Sequence, residues 1–157
     1  MTPTLADIAA LPISGIAHSE PLRVSIDATV FEVVQKLHDH DGSATLVEKD
    51  GVLVGIFTER DLMARVDHSN PAWRRMPVAE VMTKAPNTIR LDQTVEEALN
   101  LMLLGVYRHL PTVTASGKTE GMLSILDLLV HITEYFPDEF VNLPVDPEHE
   151  AKGPWGG

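Results

Sequence analysis

Two short segments combine a hydroxyl side chain with a carboxylate three residues later, Thr58-x-x-Asp61 and Ser124-x-x-Asp127. Each lies where an apolar run gives way to a helical pattern, so the pair is expected to cap the N-terminus of a helix. The backbone N–H groups at such a terminus also attract phosphate, and an aspartate there can accept two hydrogen bonds from a ribose diol. The spacing therefore predicts two helix caps and leaves a second role at a nucleotide open.

Few basic side chains are placed to neutralise a phosphate. Arg108 and His109 stand together at the start of a predicted strand, and arginine recognises phosphate through two parallel hydrogen bonds. The alternative is a solvated arginine beside a half-exposed histidine, and the residues alone weigh both equally.

Other site chemistries find no support. His38-x-His40 places two imidazoles two residues apart, a spacing that does not share a helix face, and no further ligands complete a tetrahedron. The chain has no cysteine, no Gly-rich Walker loop and no spacing that argues for a Ser-His-Asp arrangement. We therefore predict no metal site and no enzymatic activity.

The elements that carry these residues are duplicated. Asp27–Glu32 recurs as Asp92–Glu97, 65 residues later, and Gly55–Leu62 recurs as Gly121–Leu128, 66 residues later. Both copies read as strand, helix, strand, strand, helix. The first helix of each begins with a capping box, Thr29 with Glu32 and Thr94 with Glu97. The helical stripes are Val30, Val33, Val34 and Leu37 in one copy and Val95, Ala98, Leu99 and Met102 in the other.

The order of elements predicts an α+β fold of two βαββα repeats. Neither unit can bury both faces of its small sheet alone, so the two are expected to pack together with pseudo-twofold symmetry. The predicted division is an N-terminal segment (1–20), a first repeat (21–67), a linker (68–77), a second repeat (78–133) and an acidic C-terminal tail (134–157).

Composition limits the partners. The chain of 157 residues is 44% hydrophobic and has 12 basic and 23 acidic residues, for a net charge of −11. Such a surface repels phosphate backbones, so nucleic acid is excluded as a partner. No apolar run approaches the roughly 18 residues of a membrane span, and the N-terminus lacks the pattern of a secretion signal. We expect a soluble cytoplasmic protein that does not contact membranes.

The repeat also carries a family pattern. The segments that match it are Val81-Met82-Thr83, the stretch Leu91–Met102, Arg108-His109-Leu110-Pro111 and both Gly-hydrophobic-hydrophobic-Thr/Ser-x-x-Asp segments. Together, over residues 21–133, they resemble a tandem pair of CBS (cystathionine-β-synthase) domains, often called a Bateman module. The resemblance implies a disc of two repeats that dimerises, binds adenosine-containing ligands between the repeats, and regulates a partner instead of catalysing.

The resemblance also assigns site residues. It implies that the hydroxyls of Thr58 and Ser124 lie near phosphate, that Asp61 and Asp127 hold ribose, and that Arg108 and His109 contact phosphate. In the first repeat Ser43-Ala44-Thr45-Leu46 matches the Arg108 stretch and brings no base. Arg60 is the residue that could compensate, whereas its counterpart is Leu126, so one competent and one degraded site are expected. Candidates for the adenine walls, each of a kind that is more often an ordinary core residue, are Ile26, Val47 and Ile56 with Ile89, Val113 and Met122.

The sequence therefore predicts a regulatory module that binds AMP or ATP, with NAD and S-adenosylmethionine as alternative ligands. A homodimer is expected because the closing helices carry more apolar residues than one small sheet needs, namely Leu62, Met63, Leu128, Leu129 and Ile132. The regulated partner would be an enzyme or a transporter. The competing interpretation is a module of the same fold that has lost its ligand and acts through dimerisation and protein contacts.

Overall fold

The structure, a computed structural model, describes residues 3–16 and 20–136. Residues 137–157 of the predicted acidic tail lie outside the described residues. The helices are α1 (Leu5–Ala9), α2 (Val30–Asp39), α3 (Glu59–Arg65), α4 (Val95–Gly105) and α5 (Ile125–Tyr135). The strands are β1 (Arg23–Ser25), β2 (Ala44–Lys49), β3 (Val52–Thr58), β4 (Thr83–Lys84), β5 (Ile89–Arg90), β6 (His109–Val113) and β7 (Thr119–Ser124). Short 3₁₀ turns cover Ile13–Gly15, Pro71–Arg75 and Val78–Glu80.

The strands form two small sheets, one for each repeat. The first has the order β1-β2-β3-β4 and the second the order β5-β6-β7. In each, the strand before the first helix runs parallel to the next strand, and a hairpin follows. Asp50 and Gly51 close the first hairpin with φ values of 51° and 78°, the double left-handed turn that matches strand twist. The predicted α+β fold of two βαββα repeats is confirmed.

Local sequence explains where the long helices begin and what they bury. At α2 the Thr29 N–H donates to Glu32 Oε2 (2.7 Å), while the Glu32 N–H donates to Thr29 Oγ1 (3.3 Å). Thr94 and Glu97 repeat the same box at α4. The buried side chains of the two helices fall on the predicted stripes: Val30, Val33 and Leu37 in α2, and Val95, Ala98 and Met102 in α4. Both predicted capping boxes are confirmed.

Each repeat's core is completed by a segment from outside its predicted bounds. Ile13 and Ile16 of the N-terminal segment pack in the second repeat's core, and the Ile13 N–H donates to the Gln93 carbonyl (2.8 Å). Val78 packs correspondingly in the first repeat's core, and its N–H donates to the Ala28 carbonyl (2.8 Å). Pro12 forms a β-bridge with Thr94, and Pro77 forms one with Thr29. The two segments thus exchange places between the repeats.

The repeats meet along a seam built from the hairpin strands. Leu46 and Ile56 of the first sheet pack against Met122 of the second. Three polar contacts cross the same boundary, and each joins a first-repeat side chain to the second repeat: Arg23 Nη2 to the Thr119 carbonyl (3.2 Å), Arg60 Nη1 to the Val106 carbonyl (2.6 Å) and Ser43 Oγ to His109 Nε2 (3.1 Å). The seam is therefore apolar at its centre and polar around it.

The exchanged N-terminal segment generates a stability prediction. Ile13 is fully buried, so Ile13→Ala should lower the free energy of unfolding by about 2–5 kcal/mol through lost burial and a residual cavity. Leu5→Ala, on the exposed face of α1, is the matched control and should change it by less than about 0.5 kcal/mol. Urea denaturation of both variants measures the difference. Equal, small effects would show that the N-terminal segment does not contribute to the second core.

Candidate functional site

The first hydroxyl–carboxylate pair caps α3. The Asp61 N–H donates to Thr58 Oγ1 (3.4 Å), while the Thr58 N–H and hydroxyl both donate to Asp61 Oδ2 (2.9 and 3.0 Å). The predicted cap is confirmed, because each residue satisfies a backbone donor of the other.

The remaining oxygen of Asp61 is also engaged. Thr83 Oγ1, on β4, donates to Asp61 Oδ1 (3.0 Å), and Arg65 Nη1 lies 3.6 Å from the same oxygen. Arg65 further donates to the carbonyls of Val81 and Met82 (3.3 and 2.8 Å). Asp61 is only 6% exposed, so its charge depends on these donors. A ribose diol at this carboxylate has to share it with Thr58, Thr83 and Arg65.

The second pair, Ser124 and Asp127, caps α5 in the same way, but its carboxylate is more exposed. The Ser124 N–H donates to Asp127 Oδ2 (2.7 Å), and the Asp127 N–H donates to Ser124 Oγ (3.1 Å). Asp127 is half-buried, and its Oδ1 has no hydrogen-bond partner among residues 3–16 and 20–136. One carboxylate oxygen at the start of α5 is therefore available to a ligand.

Arg108 and His109 reach the same end of the second sheet. In the β6–β7 ladder His109 lies opposite Ser124, and the Arg108 carbonyl accepts from the Ile125 N–H (2.8 Å). The Arg108 side chain is exposed, and its guanidinium has no acceptor within the described part of the chain. The structure thus gathers Arg108, His109, Ser124 and Asp127 around the N-terminus of α5.

Burial controls the charge of His109. It lowers the pKa of the imidazole below its usual value; the Asp127 charge opposes this effect, Arg108 adds to it, and Glu59 opposes it. Burial dominates because it removes water from the charged form. His109 is therefore neutral at neutral pH, and Nε2 shares a hydrogen bond with Ser43 Oγ of the first repeat.

Arg60 is engaged across the seam. Its Nη1 donates to the carbonyl of Val106 at 2.6 Å, and the counterpart Leu126 is exposed. The side chain that was expected to compensate for the missing base of the first repeat therefore already has an acceptor in the second repeat.

The six adenine-wall candidates lie in four places. Val47, with Ile26 packed beside it, belongs to the first core, and Ile89 belongs to the second core. Ile56 and Met122 meet at the seam. Val113 ends β6 opposite Arg90 and is buried. The structure therefore brings only the Ile56–Met122 pair together at the boundary between the repeats.

Two residues that bear on the site were not anticipated. Thr83 belongs to the Val81-Met82-Thr83 motif, but nothing in that motif indicates contact with a carboxylate 22 residues earlier. Val106 offers only a weak signal, a valine directly after a glycine at the end of a helix. Both contacts are non-local, which sequence spacing does not encode.

Metal and membrane features are also limited. Among residues 3–16 and 20–136, no three His, Asp or Glu side chains converge in a way that could hold a metal ion. His40 Nδ1 instead lies 2.9 Å from the Lys36 carbonyl. The described helices include none with the length and apolar character to cross a membrane.

Comparisons with known proteins identify the family. The CBS domain profile matches residues 13–68 and 78–134. The CBS domain-containing protein CBSCBSPB5 of Arabidopsis thaliana is 33% identical over 116 residues, 74% of this chain and 20% of that protein. The chain thus spans about a fifth of the length of this relative.

Solved structures agree with this assignment. A protein with CBS domains from Burkholderia ambifaria has a TM-score of 0.68 at 28% identity, covering 84% of this chain and 95% of that one. CBSX2 of Arabidopsis thaliana, determined in complex with AMP, has a TM-score of 0.67 at 22% identity, covering 78% and 96%. This second likeness is one of fold.

The chain belongs to the CBS-domain family, as a protein with two CBS domains. Proteins with such a pair are generally regulatory, non-catalytic modules.

The half-buried His109 generates a pH prediction. Because its folded pKa is lowered, the unfolded chain binds more protons between the folded and unfolded pKa values, so stability rises with pH there. The contribution is complete above about pH 6.5 and is lost as the pH falls through the folded pKa. His109→Asn should therefore flatten the decline in unfolding free energy below about pH 6.5, measured by urea denaturation across this range.

His38→Asn is the control, because His38 is exposed at the end of α2. Its pH profile should match that of the wild type. A His109→Asn profile as steep as that of the wild type would contradict a half-buried, neutral His109.

Proposed function

We propose that this protein is a non-catalytic sensor that binds an adenine nucleotide between its two CBS domains and signals by conformational linkage to a partner. The observation that carries the proposal is the free Oδ1 of Asp127 at the start of α5, with Arg108 and His109 at the same edge. Asp127 would hold the ribose, while Ser124 and Arg108 would hold phosphate. The AMP complex of CBSX2, a protein of the same fold, supports this ligand class.

The contacts favour one ligand per chain. Both oxygens of Asp61 accept hydrogen bonds from Thr58 and Thr83, and Arg60 donates to a backbone carbonyl. At the first-repeat site, each oxygen of Asp61 already accepts a hydrogen bond, and Arg60 already has an acceptor. At the Asp127 site, neither Asp127 Oδ1 nor the Arg108 guanidinium has a partner among the described residues.

Charge at the Asp127 site favours a ligand with few phosphates. Arg108 is the cation there, since burial lowers the pKa of His109 and leaves it neutral. Asp127 and Glu59 act on His109 as negative charges and repel a polyphosphate. We propose AMP over ATP on this basis, with NAD and S-adenosylmethionine kept as alternatives. The adenine would lie at the seam, beside Ile56 and Met122.

Linkage follows from the position of the site. His109 contacts Ser43 of the first repeat, so a ligand on His109 and Asp127 touches the boundary between the repeats. Such a ligand shifts the arrangement of the two repeats only by its differential affinity for the alternatives. We propose that a cytoplasmic enzyme or transporter is regulated by this change in the arrangement of the repeats.

The second candidate is a ligand-free interaction module. The contacts of Asp61 favour it, because at one of the two potential sites the carboxylate already stabilises the fold through its hydrogen bond from Thr83. Thermal shift with AMP, ADP, ATP, NAD and S-adenosylmethionine separates the candidates. No shift with any of them supports the interaction module.

The ligand proposal makes a binding prediction. AMP at 100 times its dissociation constant should stabilise the protein by about 2.7 kcal/mol. Asp127→Asn should weaken AMP binding about ten- to hundredfold, because a charged acceptor is lost while the amide oxygen can still cap α5. Isothermal titration measures both affinity and stoichiometry, with one site expected.

Asp39→Asn is the charge-matched control, because Asp39 is exposed at the end of α2. It should bind AMP like the wild type. Unchanged affinity in Asp127→Asn would remove Asp127 from the ribose role.

We further propose a homodimer. Of the apolar residues expected at the interface, Leu128 is fully buried in its own core, whereas Met63 and Leu129 are exposed. Leu103, Leu104, Leu126 and Val130 extend the exposed apolar surface along α4 and α5, and Leu104 is 85% exposed. A patch of this kind on a small protein is typical of an interface.

Light scattering should therefore give twice the chain mass at micromolar concentration. Leu129→Glu should yield the monomer, because a buried unpaired charge opposes association. Val52→Glu, which also replaces an exposed apolar residue but on the β2–β3 hairpin, should remain dimeric. A monomeric wild type would contradict the proposal.

A further inference from the structure

Gly105, the last residue of α4, and residues 106–108, which connect α4 to β6, form a short segment that we call the 105–108 loop. We propose that Arg60 of the first repeat is a positioning residue, which holds this loop so that Arg108 faces the phosphate of a ligand at the Asp127 site. The inference rests on the function proposed above and assigns Arg60 a role through the loop in place of direct contact with phosphate.

The centre of the loop is held in an unfavourable conformation. Val106 has φ 54° and ψ 43°, the left-handed region that a β-branched residue rarely adopts. Helices usually place glycine in this conformation at their C-terminal end. The chain does have a glycine, Gly105, but one residue too early to take the left-handed position.

The position of Gly105 is explained by Tyr107. A Cβ atom at residue 105 would overlap the Tyr107 ring, so glycine is required there for packing. The ring is fixed in turn, because Asn87 Nδ2 donates to Tyr107 Oη (2.7 Å) and the ring packs on the second core. Because glycine is needed at position 105, the residue that adopts the left-handed conformation is Val106.

Arg60 supplies a contact that stabilises this conformation. Its guanidinium donates a 2.6 Å hydrogen bond to the Val106 carbonyl, and a charged donor makes such a bond stronger than a neutral one. Within the helix end itself, the Val106 and Tyr107 N–H groups both donate to the Met102 carbonyl. These contacts fix the direction of the chain immediately before Arg108.

The same contact joins the two repeats. Arg60 lies in the first turn of α3, between Thr58 and Asp61 of the first-repeat site. A shift of α3 relative to the second repeat would release Val106, and with it the chain leading to Arg108. The first repeat thereby controls the cation of the second repeat's site.

The first test compares ligands with and without phosphate. Arg60→Ala should weaken AMP binding about five- to tenfold, the equivalent of one charge-assisted hydrogen bond, and adenosine binding by less than about twofold. Arg60→Lys should recover part of the AMP affinity. Arg75→Ala removes the same charge from an exposed position and should leave both affinities unchanged. Equal losses for AMP and adenosine in Arg60→Ala would overturn the inference.

A second-site variant separates positioning from direct contact. Glycine adopts the left-handed conformation without steric cost, so Val106→Gly lets the loop keep its shape without Arg60. The double variant Arg60→Ala/Val106→Gly should bind AMP more tightly than Arg60→Ala alone. If Arg60 contacts phosphate directly, Val106→Gly restores nothing, and the positioning role is refuted.

Amide hydrogen exchange separates failure of this inference from failure of the proposed function. Peptides covering residues 102–110 should exchange faster in Arg60→Ala and recover in the double variant. If hydrogen exchange in residues 102–110 is unchanged in Arg60→Ala, Arg60 does not hold the loop, and this conclusion does not depend on any ligand. A wild type that binds neither AMP nor adenosine overturns the proposed function, and with it the presentation of Arg108 to phosphate.

Discussion

The structure depends on the inability of either small sheet to bury both of its faces. The helices of each repeat cover one face, and the Leu46–Ile56–Met122 cluster closes the other against the neighbouring repeat. The exchanged segments strengthen this dependence, because Ile13 completes the second core and Val78 completes the first. Neither repeat is therefore complete alone, and polar groups near the seam are held in place by residues of both.

Duplication produces two similar caps that are used differently. Asp61 is nearly fully buried, so its charge requires donors, and Thr58, Thr83 and Arg65 provide them. Asp127 is half-buried, shares only one oxygen with its own cap, and can leave the other to water or a ligand. Burial, and not the motif itself, thus separates a structural carboxylate from an available one.

Local features were predictable from the sequence, because they depend on residues close together in the chain. The capping boxes of Thr29 and Thr94, and the hairpin turn at Asp50-Gly51, involve neighbours that no tertiary contact overrides. The exchanged segments also left a signal, since Pro12-Ile13 and Pro77-Val78 differ by the same 65 residues as the helix starts. Spacing alone does not say which repeat each segment packs against, and that contact is tertiary.

The site was less predictable because its decisive contacts join distant residues, often to backbone atoms. The acceptor of Arg60 is a carbonyl exposed by an unusual φ at Val106, which no pattern of side chains encodes. The hydrogen bond of His109 to Ser43 has a further consequence. A ligand that forms a hydrogen bond with His109 Nε2 would compete with Ser43 Oγ for the same nitrogen. Under the proposed function, binding at the Asp127 site would therefore weaken one contact between the repeats, and would require no large movement of either sheet.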